Sequence, residues 1–432
     1  VFHLLTRGSP TALPRHQTLR ATMDWSYQLL RERERVLLCR LSVFAGGFTT
    51  EAIETICAGD GLAEDEILDS LSDLMDKSLI TTEATGDRTR NHLLEIVRQY
   101  AQEKLIESGE ADRVRARHLD YFVRLAEQAP SGFIALEQPA WMMRWQAEHD
   151  NLRAALEWSA NDQATAQIGL RLVGLVARFL ETHGHFVEEL EWIKRLLDRA
   201  GESALPAWRG DAFFHAAIAE FQLGKHSAAR SSAAQAVELF RMLGDRPHIA
   251  ETYCWLGAIF TGQLEFAQAR PVLEESVAIY QNLGDTLGAA WSLSMLGLAV
   301  YALGDHDLGR SYLESSLKIG REGNWGVIIE RQARFLGDIF RREGDLAQAR
   351  SLHTEAITSS RAGGVWGLPN NLDSFAYLTL AEGFPRRAAK LFGAADRVFE
   401  TYGSVRVPFE QAEHDQAVAN LQATMGEEAF AA

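Results

Sequence analysis

The stretch GDLAQAR, residues 344–350, ends on an arginine that the chain repeats: stepping back by forty residues from Arg350 lands on Arg310, Arg270 and Arg230. The same step meets Leu190 further back and Lys390 ahead. Self-similarity at a period of roughly 20–50 residues is the mark of stacked repeats, so it limits the fold before any single residue is considered. Aligned on this step, AETYCWLGAIF from Ala250, AAWSLSMLGLAVY from Ala289 and ERQARFLGDIF from Glu330 superpose, each with a Leu-Gly pair (Leu256-Gly257, Leu296-Gly297, Leu336-Gly337). Apolar residues at 253, 256 and 260, and again at 293, 296 and 300, have the spacing of a helix with one buried face. A turn follows at Gly184, Gly224, Gly304 and Gly344, where a chain leaving a helix needs a left-handed residue. A second amphipathic run then closes on Gly244, Gly284, Asn324 or Gly364.

Helix-turn-helix units of this length cannot bury their apolar faces alone and stack into an α-solenoid. Six units are expected from about Ala166 to about Gly403. The glycines at 257, 297 and 337 and the alanines at 269 and 349 fall where the two helices of a unit must approach closely. This pattern resembles the tetratricopeptide repeat, with Leu256, Gly257, Phe260 and Ala269 at that family's leucine, glycine, aromatic and alanine marks. Ala217 and Tyr377 replace the glycine in the outer units, which should be less regular. On this reading Arg350 recurs because it opens the second helix on the solvated side, as a surface position without a catalytic role.

Residues 1–112 do not follow the period. TLRATMDWSYQLL from Thr18 and RERERVLLCRLSVF from Arg31 read as consecutive helices, GGF breaks the chain, and Thr49 or Thr50 can cap the short helix EAIETIC. EDEILDSLSDLMDKSL is a third helix, followed by two strand-like pieces around a Gly86-Asp87 turn. Helices followed by a hairpin make a winged helix. The fold class expected is therefore mainly α: a winged-helix domain followed by an α-solenoid of about six repeats. The expected division is a linker over 1–15, the winged helix over 16–112, a helical connector over 113–165, the solenoid over 166–405 and a C-terminal helix over 406–432. Opening on Val1 instead of Met, the chain is expected to be a piece of a longer polypeptide that continues in both directions.

Charge limits the partners. The net charge is -16, and the candidate recognition helix over 64–77 carries Glu64, Asp65, Glu66, Asp69, Asp73 and Asp76 against Lys77 alone. Phosphates would repel that face, so direct nucleic-acid binding is not expected. The longest apolar stretch, LSMLGLAVYAL from Leu293, is well short of the ~20 residues a membrane span needs. Three cysteines without a CxxC spacing suggest neither a disulfide framework nor a thiolate zinc site, which fits a cytoplasmic protein.

LTRGSPTALPRHQTLRATMDWSYQLL, RLSVFAGGFTTEAIETIC and LLEIVRQYAQEKL together resemble the bacterial STAND-class predicted ATPases, regulators related to the NB-ARC switch proteins, many of which add a LuxR-type helix-turn-helix. AEHDNLRAALEWS from Ala147 and the final MGEEAFAA are similar to phrases of that family. The resemblance implies an upstream P-loop ATPase module in cis, a winged helix, and a repeat tail that senses a protein partner or small inducer and controls transcription. No GxxxxGK[ST] occurs in this chain, and Leu94 stands where the family's nucleotide-touching histidine would be, with His92 two residues away. ATP or ADP therefore belongs to the upstream module, and no cofactor is expected here. The alternative is a stand-alone scaffold for protein-protein interaction without switching.

Catalytic and metal motifs are not found. His183-Gly184-His185 has a metal-like look but reads as solvent-facing, and Trp141, Trp145 and Trp158 read as core packing. One surface stands out. If the first helix of each unit lines the inside of the solenoid, Arg331, Arg334, Arg341 and Arg342 share one face of one helix with Asp338, and neighbouring units place Trp291 and Tyr301, then Phe214 and Phe221, beside them. Arginine with aromatics is the composition of binding hot spots. Two readings stay open: a solvated face with Glu343 and Asp345 as partners, or a groove for an acidic peptide or anionic ligand.

Overall fold

A computed structural model describes residues 14–85, 88–130, 139–360, 367–402, 404–406 and 408–426. These residues fall into two compact units, one within Val1–Gln128 and Arg144–Gly169, the other within Ala129–Met143 and Leu170–Ala432. Among them, no helix is long and apolar enough to cross a membrane.

The first unit is built on the predicted winged helix. Helices α1 (Pro14–Gln28), α2 (Glu32–Leu41), α3 (Thr50–Cys57) and α4 (Glu64–Asp76) precede an antiparallel hairpin of β1 (Ile80–Thr85) and β2 (Arg88–Leu93), with Ile80 opposite Leu93. The expected Gly86-Asp87 turn lies outside the described residues. Thr49, not Thr50, caps α3, its hydroxyl accepting from the Ala52 amide at 3.3 Å. The GGF break does more than end a helix: Phe48 pairs with Asn91 through two backbone hydrogen bonds of 2.9 Å and so extends the hairpin. Leu37, Leu41, Ile53, Ile56, Ile67 and Leu74 fill the core.

The stretch expected to be a connector is mostly part of this unit. Helices α5 (Glu95–Glu107) and α6 (Ala111–Ala126) follow the hairpin, and His118 on α6 meets Phe44 edge-on at 5.3 Å. Burial lowers the pKa of His118 to about 3, so it packs as a neutral ring. Helix α7 (Pro139–Ser159) brings the phrase AEHDN back to the glycines. Asn151 accepts from the Gly46 amide at 3.0 Å and donates to the Gly47 carbonyl at 2.9 Å, while Glu148 pairs with Arg90 at 2.5 Å. Arg40, fully buried, donates to the carbonyls of Cys57, Gly59 and Asp60 and pairs with Glu110 at 3.0 Å. That is how a buried guanidinium avoids the cost of an unpaired charge.

The second unit is the solenoid. Six helical pairs follow one another: α8 (Gln163–Thr182) with α9 (Phe186–Ala200), α10 (Pro206–Gln222) with α11 (His226–Leu243), α12 (Arg246–Gly262) with α13 (Phe266–Leu283), α14 (Thr286–Ala302) with α15 (His306–Gly323), α16 (Gly326–Glu343) with α17 (Leu346–Ser360), and α18 (Leu368–Ala381) with α19 (Pro385–Tyr402). A further helix, α20 (Pro408–Met425), completes it. The expected stop at Gly364 and the boundary glycine Gly403 lie outside the described residues.

The small residues have the packing role their spacing suggests. A Cβ on Gly297 would come within 2.9 Å of the Gly309 carbonyl oxygen, and one on Gly257 within 2.4 Å of Leu273. Asp245 and Asp285 cap the first helices of successive units, accepting from the amides of His248 and Gly288. One departure was not visible in the glycine pattern: Leu264 fills the turn slot that Gly224 and Gly304 occupy, at φ 63°.

The recurring arginine turns out to be a clamp between units. Arg230 pairs with Glu265 at 3.0 Å, Arg310 with Glu343, and Arg350 with Glu382, each acid lying at the helix-helix turn of the next unit. Each guanidinium also lies over an aromatic ring of that unit: Phe260 at 4.8 Å, Phe340 at 5.3 Å and Phe375 at 5.9 Å. Arg270 departs from the rule and pairs within its own helix, with Glu274. The sequence reading placed these residues on the surface correctly but missed the cross-unit contact.

Candidate functional site

The first helices of the pairs line the inside of the solenoid. Phe221 of α10, Trp255 of α12, Trp291 and Met295 of α14, and Arg331 and Arg334 of α16 enclose one cavity of about 170 Å³. Tyr301, Arg341 and Arg342 line a second hollow of about 60 Å³, with Tyr377 and Asp338. The six residues picked from sequence thus line two neighbouring hollows, with Arg334 on the wall of both. Phe214, grouped with them, is instead buried in the core beneath.

The solvated-face reading, with Glu343 and Asp345 as partners, does not match the surroundings of the arginines. Glu343 is engaged by Arg310, and the carboxylates that meet the inner arginines are Asp338 of their own helix, 3.7 Å from Arg341 and 4.0 Å from Arg334, and two from α20. Glu413 accepts from Arg341 and from Arg342 at 2.8 Å each, and Glu410 accepts from Arg334 at 3.4 Å. Arg341 lies over Tyr377 at 5.1 Å and Arg334 over Phe335 at 4.3 Å. Helix α20 is anchored by its apolar side, where Ala417 and Leu421 pack with Ala376, Ala388 and Phe392. Residues 404–406 lead into it as a strap: the Val405 amide donates to the Gln222 carbonyl at 3.2 Å, and Arg406 chelates Asp373 at 2.6 and 3.0 Å and meets Asp396 at 2.7 Å. An acidic helical segment therefore already lies along the face, and it belongs to the chain itself. Sequence reasoning missed Glu410 and Glu413, although acids three residues apart in PFEQAEHD are a readable signal.

Arg331 differs from its neighbours. Among the described residues no carboxylate lies within ion-pairing distance of it. Its Nη2 reaches Met295 Sδ at 2.9 Å, its guanidinium lies 5.0 Å from the Trp291 ring and 5.7 Å from that of Phe335, and its buried Nε has no hydrogen-bond partner. Desolvation, with Arg334 beside it, lowers its pKa to about 10, which still leaves it charged at neutral pH. Burial raises the pKa of Glu410, the acid on the opposite wall.

A second polar cluster lies at the start of the solenoid. Arg178 joins Glu181 at 2.6 Å and Glu251, and His215 meets Glu181 at 2.8 Å. Glu189 is buried beside them with both carboxylate oxygens unpartnered, and burial together with the Glu181 charge holds its pKa well above the ordinary carboxylate range. Carboxylate and imidazole atoms of Glu181, Glu189 and His215 lie within 4.8 Å of one another, but Arg178 already supplies the positive charge there. His183 and His185, expected to face solvent, are half-buried against Phe179, with ring centroids 4.6 and 6.0 Å away. Trp145 is buried as expected.

Comparison with known proteins supports both halves of this description. Residues 248–322 match the family described as Tetratricopeptide repeat, and residues 30–106 match the family described as Winged helix-turn-helix domain. The chain is 41% identical over 203 residues to the "Putative HTH-type transcriptional regulator Rv0890c" of Mycobacterium tuberculosis, a match covering 46% of this chain and 22% of that protein. It is 28% identical over 232 residues to "Regulatory protein AfsR" of Streptomyces griseus, covering 52% of this chain and 22% of that protein. The matches thus span about a fifth of the length of these relatives. Among solved structures, a STAND protein with a tetratricopeptide repeat sensor from Pyrococcus horikoshii aligns over 92% of this chain and 63% of its own, at 16% identity and a TM-score of 0.48. A Rap protein complexed with Competence and Sporulation Factor aligns over 74% and 96%, at 15% identity and a TM-score of 0.47. The chain thus carries a winged helix-turn-helix segment and a tetratricopeptide repeat segment, and is similar in sequence to a "Putative HTH-type transcriptional regulator" and to a "Regulatory protein".

Proposed function

We propose that the solenoid is the receiving arm of a STAND-type transcriptional regulator, that it binds a protein partner or small inducer on its inner face, and that the winged helix relays this event to an upstream P-loop ATPase module. The observation that carries the reading is the covered arginine face. An intramolecular segment that meets this face through ionic contacts sets up a covered-open equilibrium, and a ligand shifts such an equilibrium by its differential affinity for the two forms. In this reading the chain has no catalysis of its own, and nucleotide binds in the upstream module. In this reading helix α4 does not read DNA: Asp73 and Glu66 pair with Arg31 and Arg33, and Glu64, Asp65, Asp69 and Asp76 add further negative charge that phosphates would meet.

The test is made in the full-length regulator. Glu410→Gln with Glu413→Gln removes the charges that hold α20 and leaves Leu421 to anchor it. Transcription from the regulator's target promoter, measured without inducer, should change at least about threefold, the response to a shift of ~0.7 kcal/mol in the covered-open equilibrium. Output identical to wild type would overturn the reading.

A further inference from the structure

The 170 Å³ cavity has two chemically distinct parts. One is flat and apolar, walled by Trp255, Trp291, Phe335 and Met295. The other is the guanidinium of Arg331, half-buried with its Nε shut off from solvent, turned toward ring faces and a thioether, and without a carboxylate partner among the described residues. Ring contacts return only about 0.5–2 kcal/mol to such a cation, while an unpaired buried charge costs several. A charge kept in that state is satisfied when an anion arrives.

The lining also restricts which anion fits. A guanidinium offers parallel N–H donors to a carboxylate in a bidentate pair. Glu410 and Glu330 line the same cavity, so a dianionic phosphate would meet two acids. Glu410 is already engaged with Arg334, and Glu330 accepts from Asn371 at 2.7 Å, which leaves Arg331 as the cation to be matched. Size restricts it further: an engineered apolar cavity of about 150 Å³ takes up benzene, so this one suits one ring or two small fused rings. Ser404, Val405 and Glu410 add the strap and α20 to the walls of the cavity, which narrows it toward a small molecule.

We propose that this cavity binds a small aromatic carboxylate, its carboxylate paired with Arg331 and its ring against Trp291 and Trp255. The proposal rests on the solenoid being the receiving arm and names the class of inducer.

Calorimetry on the 432-residue chain tests it with phenylacetate and naphthoate, each against its neutral amide. At least one acid should bind with a Kd below about 1 mM, and its amide at least about tenfold more weakly, because only the acid completes the charge pair. Arg331→Gln should weaken the acid by about tenfold or more while the circular dichroism and Tm stay those of wild type. The acid-amide comparison needs no variant, so it stands if Arg331→Gln misfolds. Equal affinity for acid and amide, no acid binding at about 1 mM, or unchanged binding by a folded Arg331→Gln overturns the site. Displacement of the acid by inorganic phosphate would also overturn it, in favour of a phosphate site. The two proposals fail separately. Acid binding without any effect on transcription would remove the receiving-arm reading and keep the site. A transcriptional effect of the Glu410 and Glu413 substitutions without acid binding would keep the arm and remove the ligand class.

Discussion

Arg230, Arg310 and Arg350 stand on the second helices of the solenoid units and repeat from unit to unit, whereas Arg331, Arg334, Arg341 and Arg342 stand on one first helix and do not. The repeated ones find an acid and an aromatic ring in the next unit. Among the unrepeated ones, Arg334, Arg341 and Arg342 find acids in α20, Arg334 and Arg341 also lie beside Asp338 of their own helix, and among the described residues Arg331 finds none. Residues that the repeat copies hold one unit against its neighbour, as expected where stability is a sum of units and nearest-neighbour interfaces. Of the residues that the repeat does not copy, Arg334, Arg341 and Arg342 hold α20 instead of a neighbouring unit. The same chemical group thus has two roles, and periodicity tells them apart.

The sharpest way to break this comparison is to damage a repeated position. Gly297→Val overpacks the crossing against the Gly309 carbonyl and Leu313, and should cost roughly 1–3 kcal/mol, read as a lowered urea midpoint. An unchanged midpoint would mean that the crossing tolerates a side chain and that the repeated glycines are not structural.

An intermediate effect is expected on the unrepeated side. Replacing Arg334 and Arg341 together by Ala removes two partly buried charge pairs to α20. Hydrogen exchange across 408–425 should speed up by about tenfold, the equivalent of ~1.4 kcal/mol, while exchange across 246–343 stays as in wild type. Faster exchange through the whole solenoid would mean that these arginines are architectural after all.

The smallest effect belongs to a single clamp. Arg350→Ala removes a pair that is about half exposed, 45% on the arginine side, and should cost only ~0.2–1 kcal/mol, with the loss shrinking as salt is added. A larger loss, insensitive to salt, would assign the stabilisation to the stacking on Phe375 instead of the charge.

Much of this fold was legible because its determinants are local. The Leu-Gly pairs, the turn glycines and the alanine at the start of the second helix all act within one unit, and the structure uses them as their spacing suggests. Leu264 escaped notice because a leucine at positive φ follows no propensity, and the neighbouring units over-determine that turn. Trp291 and Arg331 could be paired from sequence because one repeat step carries residue 291 to residue 331. The cover over Arg341 could not, since Glu413 lies 72 residues away and outside the period.

By itself, then, the sequence determined the class of fold and the spacing of the repeats, because both follow from periodic contacts between adjacent helices. Only the tertiary structure decided where the unrepeated pieces go. Asn151 reaches Gly47 across 104 residues, and Glu410 reaches Arg334 across 76. An amphipathic helix records that one of its faces is buried but carries no record of the surface that buries it. That choice depends on shape and charge assembled from distant segments, and it left Arg331 as the inner arginine without an acid partner among the described residues.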